Sequence, residues 1–227
     1  MTTSLGAPEG LDCPLPPDNF IDATIPVYEL NLSVTNLYRI HRRTFDPIFY
    51  NRRSASSTVY RFDAPNDEYG VLYASPSFDA CMAETIMRDR YQGVGVGVQH
   101  VIHEADILSR AIAVLGVEEV RPLRLADLTG PLWHFGFDAR VLTVADYTAP
   151  NRWSRAIHDN HQQLDGIYFR SRYANEVSVA IFSDRAQLVR RGESIPLHLH
   201  PSLTGFLDRF EIGIAEPDGA DWRSPGS

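Results

Sequence analysis

The short apolar runs spread along the chain constrain its fold more than any other feature. Each run mixes β-branched and aromatic residues with polar ones, and clusters of Pro, Gly, Asn and Asp separate the runs, which is typical of strands joined by turns. The predicted strands are "NLYRIH", "TVYRF", "VLYAS", "RAIAVL", "RPLRLADL", "IYFRS", "VSVAIFS" and "DRFEIGIA". Because few helical segments lie between them and several neighbours can form hairpins, we expect an α+β fold: a single domain with a mixed, largely antiparallel sheet and flanking helices.

Two segments carry apolar residues at helical spacing. "SPSFDACMAETIMRDRY" (75–91) offers Ser75 or Ser77 as the N-cap, and "NRWSRAIHDNHQQL" (151–164) ends just before an Asp-Gly turn signal. The shorter "GPLWHFGF" (130–137) predicts a short helix or a turn.

Length and composition predict one domain with an additional segment at each end. A chain of 227 residues, 44% of them hydrophobic, is long enough to bury a substantial core. The Pro- and Gly-rich start of the chain predicts an extended N-terminal arm over 1–30, followed by the domain over 31–215 and a C-terminal tail over 216–227.

Charge, cysteines and hydropathy narrow the function classes. The net charge of -8 argues against a broad surface for a nucleic-acid backbone. Cys13 and Cys81 form no disulfide or metal pattern, which predicts reduced thiols in a cytoplasm. We see neither a leader nor an apolar run of about 18 residues, so we expect a soluble cytoplasmic protein without membrane contact. "GVGVGV" (93–98) lacks the context of a phosphate-binding loop and carries no weight for nucleotide binding.

Arginines amid aromatic residues on predicted strands are the first candidates for a site. Arg39 lies in "LYRIH", Arg61 in "VYRFD", and Arg170 and Arg172 in "FRSR". Any one of them could simply pair with a cross-strand acid. Three such strands together favour an anionic ligand, because the guanidinium fork suits phosphate oxygens.

Glu84 and Tyr73 admit both a structural and a functional interpretation. Glu84 could pair with Arg88 one helical turn away, or it could stabilise a cationic sugar centre from beside the sheet. Tyr73 could be a core residue or a platform for a ligand ring.

Ser171 and the paired histidines carry less specific signals. Ser171 lacks the Gly-x-Ser-x-Gly surroundings of a hydrolase nucleophile. His158 with His161, and His198 with His200, have no carboxylate or Cys partner at metal-ligand spacing, so we expect structural roles and no metal site.

Taken in order, several motifs resemble the RES-domain family. They are "YRIH", "YRFDAP", "YGVLYASPSFDACMAE", "RWSRAIHD", "DGIYFRSR" and "VAIFSDR", spread from Leu37 to Arg185. The Arg, Glu and Ser that give the family its name match Arg39, Glu84 and Ser171. The resemblance is specific because dispersed motifs recur in the right order.

This resemblance implies a fold similar to that of ADP-ribosyltransferases and an activity that consumes NAD+. The nicotinamide N-glycosidic bond would be cleaved by phosphorolysis or hydrolysis, with NAD+ as substrate, inorganic phosphate as a possible co-substrate, and neither a metal nor a true cofactor. Such proteins are typically toxins of bacterial type II toxin-antitoxin modules, so an Xre-like antitoxin is the implied partner, in a homo- or hetero-oligomer. Alternatives are ADP-ribosyl transfer to a protein, and a catalytically idle scaffold that binds a regulator.

The resemblance also assigns roles to residues. Arg39 and Arg61 would hold the phosphates or the nicotinamide ribose, Tyr73 would pack on the nicotinamide side, Glu84 would stabilise the charged transition state, and Ser171 would contact the diphosphate or nicotinamide region. Arg39, Tyr73 and Glu84 are thus the predicted catalytic residues, and all five are predicted to bind NAD+.

Two details of the motifs modify these assignments. The family often has Gly-Arg-Phe-Asn where this chain has Tyr60-Arg61-Phe62-Asp63, which places an acid near the site. Arg170 and Arg172 should alternate with Ser171 along a strand, so we expect them to frame the site or to pair with acids.

Overall fold

The computed structural model describes residues 13–56, 58–88 and 98–216. The strands within these ranges are β1 (Val27–Leu30), β2 (Leu37–Arg42), β3 (Val71–Ala74), β4 (His100–His103), β5 (Arg110–Val117), β6 (Leu123–Asp127), β7 (Gly166–Arg170), β8 (Val177–Phe182), β9 (Leu188–Arg190), β10 (Ile195–Pro196) and β11 (Ile212–Ala215). The α-helices are α1 (Phe78–Met82), α2 (Glu104–Leu108), α3 (Arg140–Thr143), α4 (Thr148–Asn160) and α5 (Ser202–Arg209). A π-helical turn, Ala83–Met87, continues α1, and single 3-10 turns lie at Phe20–Asp22, Trp133–Phe135 and Leu197–Leu199.

The described strands form three sheets. The largest has the order β1-β6-β7-β8-β3 and is antiparallel except for the β6–β7 pair. The second has the order β10-β5-β2, with β9 also paired to β5, and it is wholly antiparallel. β4 and β11 form a parallel pair. The predicted α+β class with largely antiparallel pairing is confirmed, although the strands are divided among more than one sheet.

The two larger sheets meet where β2 passes the end of β3. Tyr38 and Ser75 exchange backbone hydrogen bonds there, 2.7 Å from the Tyr38 nitrogen to the Ser75 oxygen and 3.0 Å in the reverse direction. The junction therefore places the start of β2 beside the end of β3 and the start of α1.

Buried side chains explain why β8 is central. Val179 and Ile181 face the second sheet, whereas Ala180 and Phe182 face the cluster under α4. A strand covered on both faces reads as a continuous apolar run, as "VSVAIF" does. A third cluster packs α1 and α5 against the end of the second sheet.

Residues 13–30 pack against the core. Cys13 and Phe20 are buried, and the Trp153 indole nitrogen of α4 donates to the Pro14 carbonyl oxygen at 2.8 Å. β1 is the edge strand of the largest sheet. The rest of the predicted arm, 1–12, and nearly all of the predicted tail, 217–227, lie outside the described residues.

One predicted strand is wrong. "TVYRF" (58–62) forms no ladder, because side chains satisfy its backbone polar groups instead. The Tyr60 amide donates to Asp63, the Phe62 amide donates to the Tyr73 hydroxyl, and the Phe62 carbonyl oxygen accepts from Ser154. The segment is a loop, and we refer to residues 60–64 below as the clamp loop.

Some helices and strands begin or end at other residues than the sequence predicted. Ser77 caps α1 as predicted, accepting from the Ala80 amide at 3.2 Å. α4 begins at Thr148, three residues before the predicted start at residue 151. The Thr148 amide donates to the Asp146 carboxylate at 2.9 Å. In "DRFEIGIA", Asp208 and Arg209 belong to α5, and only the second half is a strand. Residues 89–91, the end of the first predicted helix, and most of "GVGVGV" lie outside the described residues.

Over the described part of the chain, no helix is both long enough and apolar enough to cross a membrane. Cys13 and Cys81 are buried in different core clusters and are not joined to each other.

Candidate active site

A cavity of about 490 Å³ opens where β2, β3, the clamp loop and the helix after β3 come together. Its volume lies in the usual range of small-molecule sites. Among the described residues that line it, one is a carboxylate, Glu84, and six are arginines: Arg39, Arg42, Arg61, Arg88, Arg110 and Arg172. A cationic cavity in a chain of net charge -8 is suited to an anionic ligand.

Arg39 carries a buried donor that is not satisfied by the described residues. It projects from β2 into the cavity, and its buried Nη1 has no hydrogen-bond partner in the described structure. Burial lowers the pKa of Arg39 to about 10, which still leaves it charged at neutral pH. A buried donor without a partner is costly, so an anion in the cavity would satisfy Arg39 Nη1.

Arg61 is fixed at its tip. Its Nη1 donates to the carbonyl oxygens of Val141 and Val144, each at 3.0 Å, and its guanidinium lies over the Tyr147 ring at 4.8 Å. Burial also lowers the pKa of Arg61 below its ordinary value. These contacts hold the Arg61 guanidinium in a fixed position at the cavity, unlike a mobile surface side chain.

Tyr73 contributes its ring to the cavity wall, while its hydroxyl is engaged elsewhere. The hydroxyl donates to the Asp63 carboxylate at 3.1 Å and accepts from the Phe62 amide at 2.8 Å. Burial holds the pKa of Tyr73 well above its ordinary value. Tyr73 therefore lines the cavity and supports the clamp loop through its hydroxyl.

Asp63, the acid of the Tyr60-Arg61-Phe62-Asp63 motif, is buried and does not line the cavity. Its carboxylate accepts from the Asn51 amide at 2.6 Å, from the Tyr60 backbone at 2.7 Å and from the Tyr73 hydroxyl. Burial raises the pKa of Asp63, and these hydrogen bonds oppose that effect. The acid therefore shapes the loop from behind.

Glu84 and Ser171 meet directly. The Ser171 hydroxyl donates to Glu84 Oε1 at 2.6 Å, and Ser171 accepts from the backbone amides of Tyr173 and Ala174. Glu84 lies on the π-helical turn after α1, a distortion that often occurs at functional sites. Ser171 is 2% exposed and is not in the cavity wall, so it holds the carboxylate in place from behind.

The chain turns at Ser171, so the expected alternation with its neighbours ends there. β7 stops at Arg170, whose Nη1 donates to the Asn175 carbonyl oxygen on the exposed side at 3.1 Å. Arg172 lies over the Tyr173 ring and lines the cavity. Arg172 is therefore a candidate ligand contact, and Arg170 is not.

Sequence reasoning missed an aromatic layer beside Glu84. Arg88 lies over the rings of Tyr60 and Tyr147, at 5.0 and 5.8 Å, and donates to the Tyr147 hydroxyl at 2.8 Å. Tyr147 precedes α4 in a polar segment without any periodic signal, so nothing in the sequence singled it out.

Neither the histidine pairs nor Cys81 adds chemistry to the cavity. His158 stacks on Tyr69, and His200 stacks on Phe78. Across the described ranges, no group of three or more His, Cys, Asp or Glu side chains could hold a metal ion. Burial raises the pKa of Cys81 to about 12, so its thiol stays protonated and is not a nucleophile at neutral pH.

Comparison with protein families matches residues 36–200 to the RES domain. The chain belongs to the RES-domain family. The three residues that the motifs matched to the Arg, Glu and Ser of the family name lie close together: Ser171 is hydrogen-bonded to Glu84, and Glu84 and Arg39 line the same cavity.

Comparison with solved structures gives the same fold. A chain from the crystal structure of the M. tuberculosis MbcT-MbcA toxin-antitoxin complex is similar, with a TM-score of 0.57 and 18% sequence identity. The match covers 82% of this chain and 94% of that chain. A sequence search among curated proteins found no match.

Proposed function

We propose that this RES protein is an NAD+-consuming toxin that cleaves the nicotinamide N-glycosidic bond by phosphorolysis or hydrolysis and is held inactive by an Xre-like antitoxin. The observation that carries the proposal is the composition of the cavity wall: six arginines around a single carboxylate. NAD+ has the complementary arrangement, because its diphosphate is anionic and its nicotinamide-bearing ribose becomes cationic as the bond breaks.

Binding would begin at the arginines. Arg39 has an unused buried donor, and Arg61 is held rigidly in the wall of the same cavity. Guanidinium groups hold phosphate oxygens in a defined orientation, and rigid mounts limit the entropy lost when the ligand binds. The diphosphate would thereby fix the position of the nicotinamide ribose.

Catalysis would depend on Glu84. The bond between ribose C1 and the nicotinamide nitrogen breaks with its electron pair going to the ring, which leaves as a neutral molecule and needs no general acid. Positive charge then develops on C1 and the ring oxygen of the ribose. A carboxylate held on that charge by Ser171 stabilises the transition state electrostatically, and the Tyr73 ring offers a surface for the nicotinamide.

The second substrate is phosphate or water. An oxygen lone pair of either molecule forms the new bond to C1, giving ADP-ribose 1-phosphate or ADP-ribose, and water loses its proton to solvent. The arginine-rich wall would also attract inorganic phosphate, which supports phosphorolysis as a route.

The proposed toxin role is supported by family membership and by the likeness to a chain from a toxin-antitoxin complex. Consumption of NAD+ in the cytoplasm would harm the cell that makes the protein. An antitoxin that covers the cavity would prevent this harm.

The direct test is nicotinamide release from NAD+ by the purified protein, with and without phosphate, followed by chromatography. We expect release from the wild type, and a loss of at least about 100-fold in Glu84→Gln and in Arg39→Ala, since each removes a charge that acts on the reacting substrate. Glu118→Gln and Arg190→Ala make the same changes at exposed positions and should leave the rate unaltered.

Two results would contradict the proposal. Absence of nicotinamide release from folded wild-type protein under either condition would refute NAD+ cleavage. Label from NAD+ that ends on a protein band of a cell lysate would replace it with ADP-ribosyl transfer.

A further inference from the structure

The clamp loop, residues 60–64, carries two groups of the cavity wall, Tyr60 and Arg61, yet belongs to no sheet. Its conformation therefore depends on side chains from elsewhere in the fold. Asn151, the fourth residue of α4, donates hydrogen bonds to the backbone of both wall residues.

The side-chain amide of Asn151 is hydrogen-bonded at both its nitrogen and its oxygen. Its Nδ2 donates to the carbonyl oxygens of Tyr60 and Arg61, each at 2.9 Å, and its Oδ1 accepts from Arg53 Nη2 at 2.5 Å. Arg53 can only donate, so its position fixes which end of the Asn151 amide faces the loop. Arg53 Nε also donates to the Ala64 carbonyl oxygen at 2.9 Å, which ties the same loop at its other end.

Burial makes this arrangement specific. Asn151 is 1% exposed, and a polar side chain inside a helix at a buried position is unfavourable unless its hydrogen bonds are satisfied. Neighbouring Ser154, one turn further along α4, donates to the Phe62 carbonyl oxygen at 2.6 Å. One face of α4 thus holds successive carbonyl groups of the loop.

We infer that Asn151 is a positioning residue for NAD+ cleavage: by anchoring the Tyr60 and Arg61 carbonyls to α4, it sets where the Arg61 guanidinium meets the substrate. This inference rests on the proposed function. Arg61 is then fixed at both ends, its backbone by Asn151 and its tip by the Val141 and Val144 carbonyls. Small displacements of groups that orient a substrate are costly to rate, so the anchor matters although Asn151 does not touch the cavity.

Asn151→Asp tests the anchor with almost no change in volume. The new carboxylate oxygen faces two carbonyl oxygens and can donate to neither, while the bond from Arg53 is kept. We expect kcat/KM for nicotinamide release to fall about 10-fold to 100-fold. Asn160→Asp is the matched control on the same helix, because Asn160 donates only to the Ala156 carbonyl oxygen and not to the loop. It should keep the wild-type kcat/KM.

A double-mutant cycle separates positioning from general destabilisation. If Asn151 acts through Arg61, then Asn151→Asp costs clearly less in an Arg61→Ala background than in the wild type. Losses that simply multiply, or an Asn151→Asp variant with wild-type kinetics, would overturn the inference. Circular dichroism and thermal unfolding identify variants that fail to fold, and for those Asn151→Ser replaces Asp.

The proposed function and this inference can fail separately. If the wild type releases no nicotinamide, NAD+ cleavage is refuted, and the anchor is tested by the affinity for ADP in calorimetry. Weaker ADP binding in Asn151→Asp than in Asn160→Asp supports the anchor, and equal binding overturns it.

Discussion

At the scale of single residues, Ser171 contacts the carboxylate of Glu84 rather than the cavity. The sequence suggested a hydroxyl that bonds the diphosphate or nicotinamide region. In the fold, that hydroxyl donates to Glu84 and accepts two backbone amides, and the residue is buried outside the cavity wall. Its effect on the reaction should therefore pass through the carboxylate.

Ser171→Ala should lower kcat more than it raises KM. A hydrogen bond to a charged group contributes about 1.5–3 kcal/mol, so loss of the fixed Glu84 orientation predicts a fall in kcat of about 10-fold to 100-fold. The measurement is the steady-state rate of nicotinamide release over a range of NAD+ concentrations. Ser33→Ala, at an exposed turn, serves as the control. A higher KM with unchanged kcat would instead show that Ser171 binds the substrate directly.

At the scale of elements, β7 links the central sheet to the site. It lies between β6, its parallel neighbour, and β8, and its end delivers Ser171 to Glu84. The strand starts at Gly166, where an added Cβ would lie 2.1 Å from the Ala180 carbonyl oxygen of β8. The backbone of β8 cannot yield there without loss of the ladder, so only glycine allows this close approach.

Gly166→Ala should destabilise the protein by roughly 1–3 kcal/mol or more, the usual range for overpacking a core. Urea unfolding monitored by tryptophan fluorescence measures the change. Gly205→Ala is the matched control, because Gly205 lies inside α5 with no atom within 4 Å of an added Cβ. Since alanine favours helix over glycine, this control should gain up to about 1 kcal/mol. A neutral effect of Gly166→Ala would mean that the strands are farther apart than described.

At the scale of the whole molecule, charge is distributed unevenly. The chain carries a net charge of -8, yet six arginines and one carboxylate line the described cavity. Such a cavity focuses its field on an anionic substrate and should raise the rate of encounter with NAD+.

The KM for NAD+ should therefore rise several-fold between 50 mM and 500 mM NaCl, with a smaller change in kcat, because salt screens charges over a distance of about 10 Å at 0.1 M. Initial rates of nicotinamide release measure this dependence. Arg42→Gln, at the exposed edge of the cavity, should make the dependence shallower. A KM that is independent of salt would show that the field of the cavity does not contribute to binding.

Local sequence patterns were enough to predict many secondary-structure elements and the family of this protein. Alternation and turn clusters located β2, β3, β5, β7 and β8, Ser77 marked the start of α1, and dispersed motifs identified the RES family. These signals are readable because helix caps, strand periods and motif order depend on residues close together in the chain.

Only the tertiary structure decided how the site is arranged. Ser171 and Glu84 are 87 positions apart, and Asn151 and the Tyr60 carbonyl it binds are 91 apart. Local propensity made "TVYRF" a strand, whereas Asp63, Tyr73 and α4 provide hydrogen bonds that hold it as a loop. The physical reason is that hydrogen-bond satisfaction and burial depend on neighbours in space, and these neighbours are set by the packing of whole elements rather than by any local sequence.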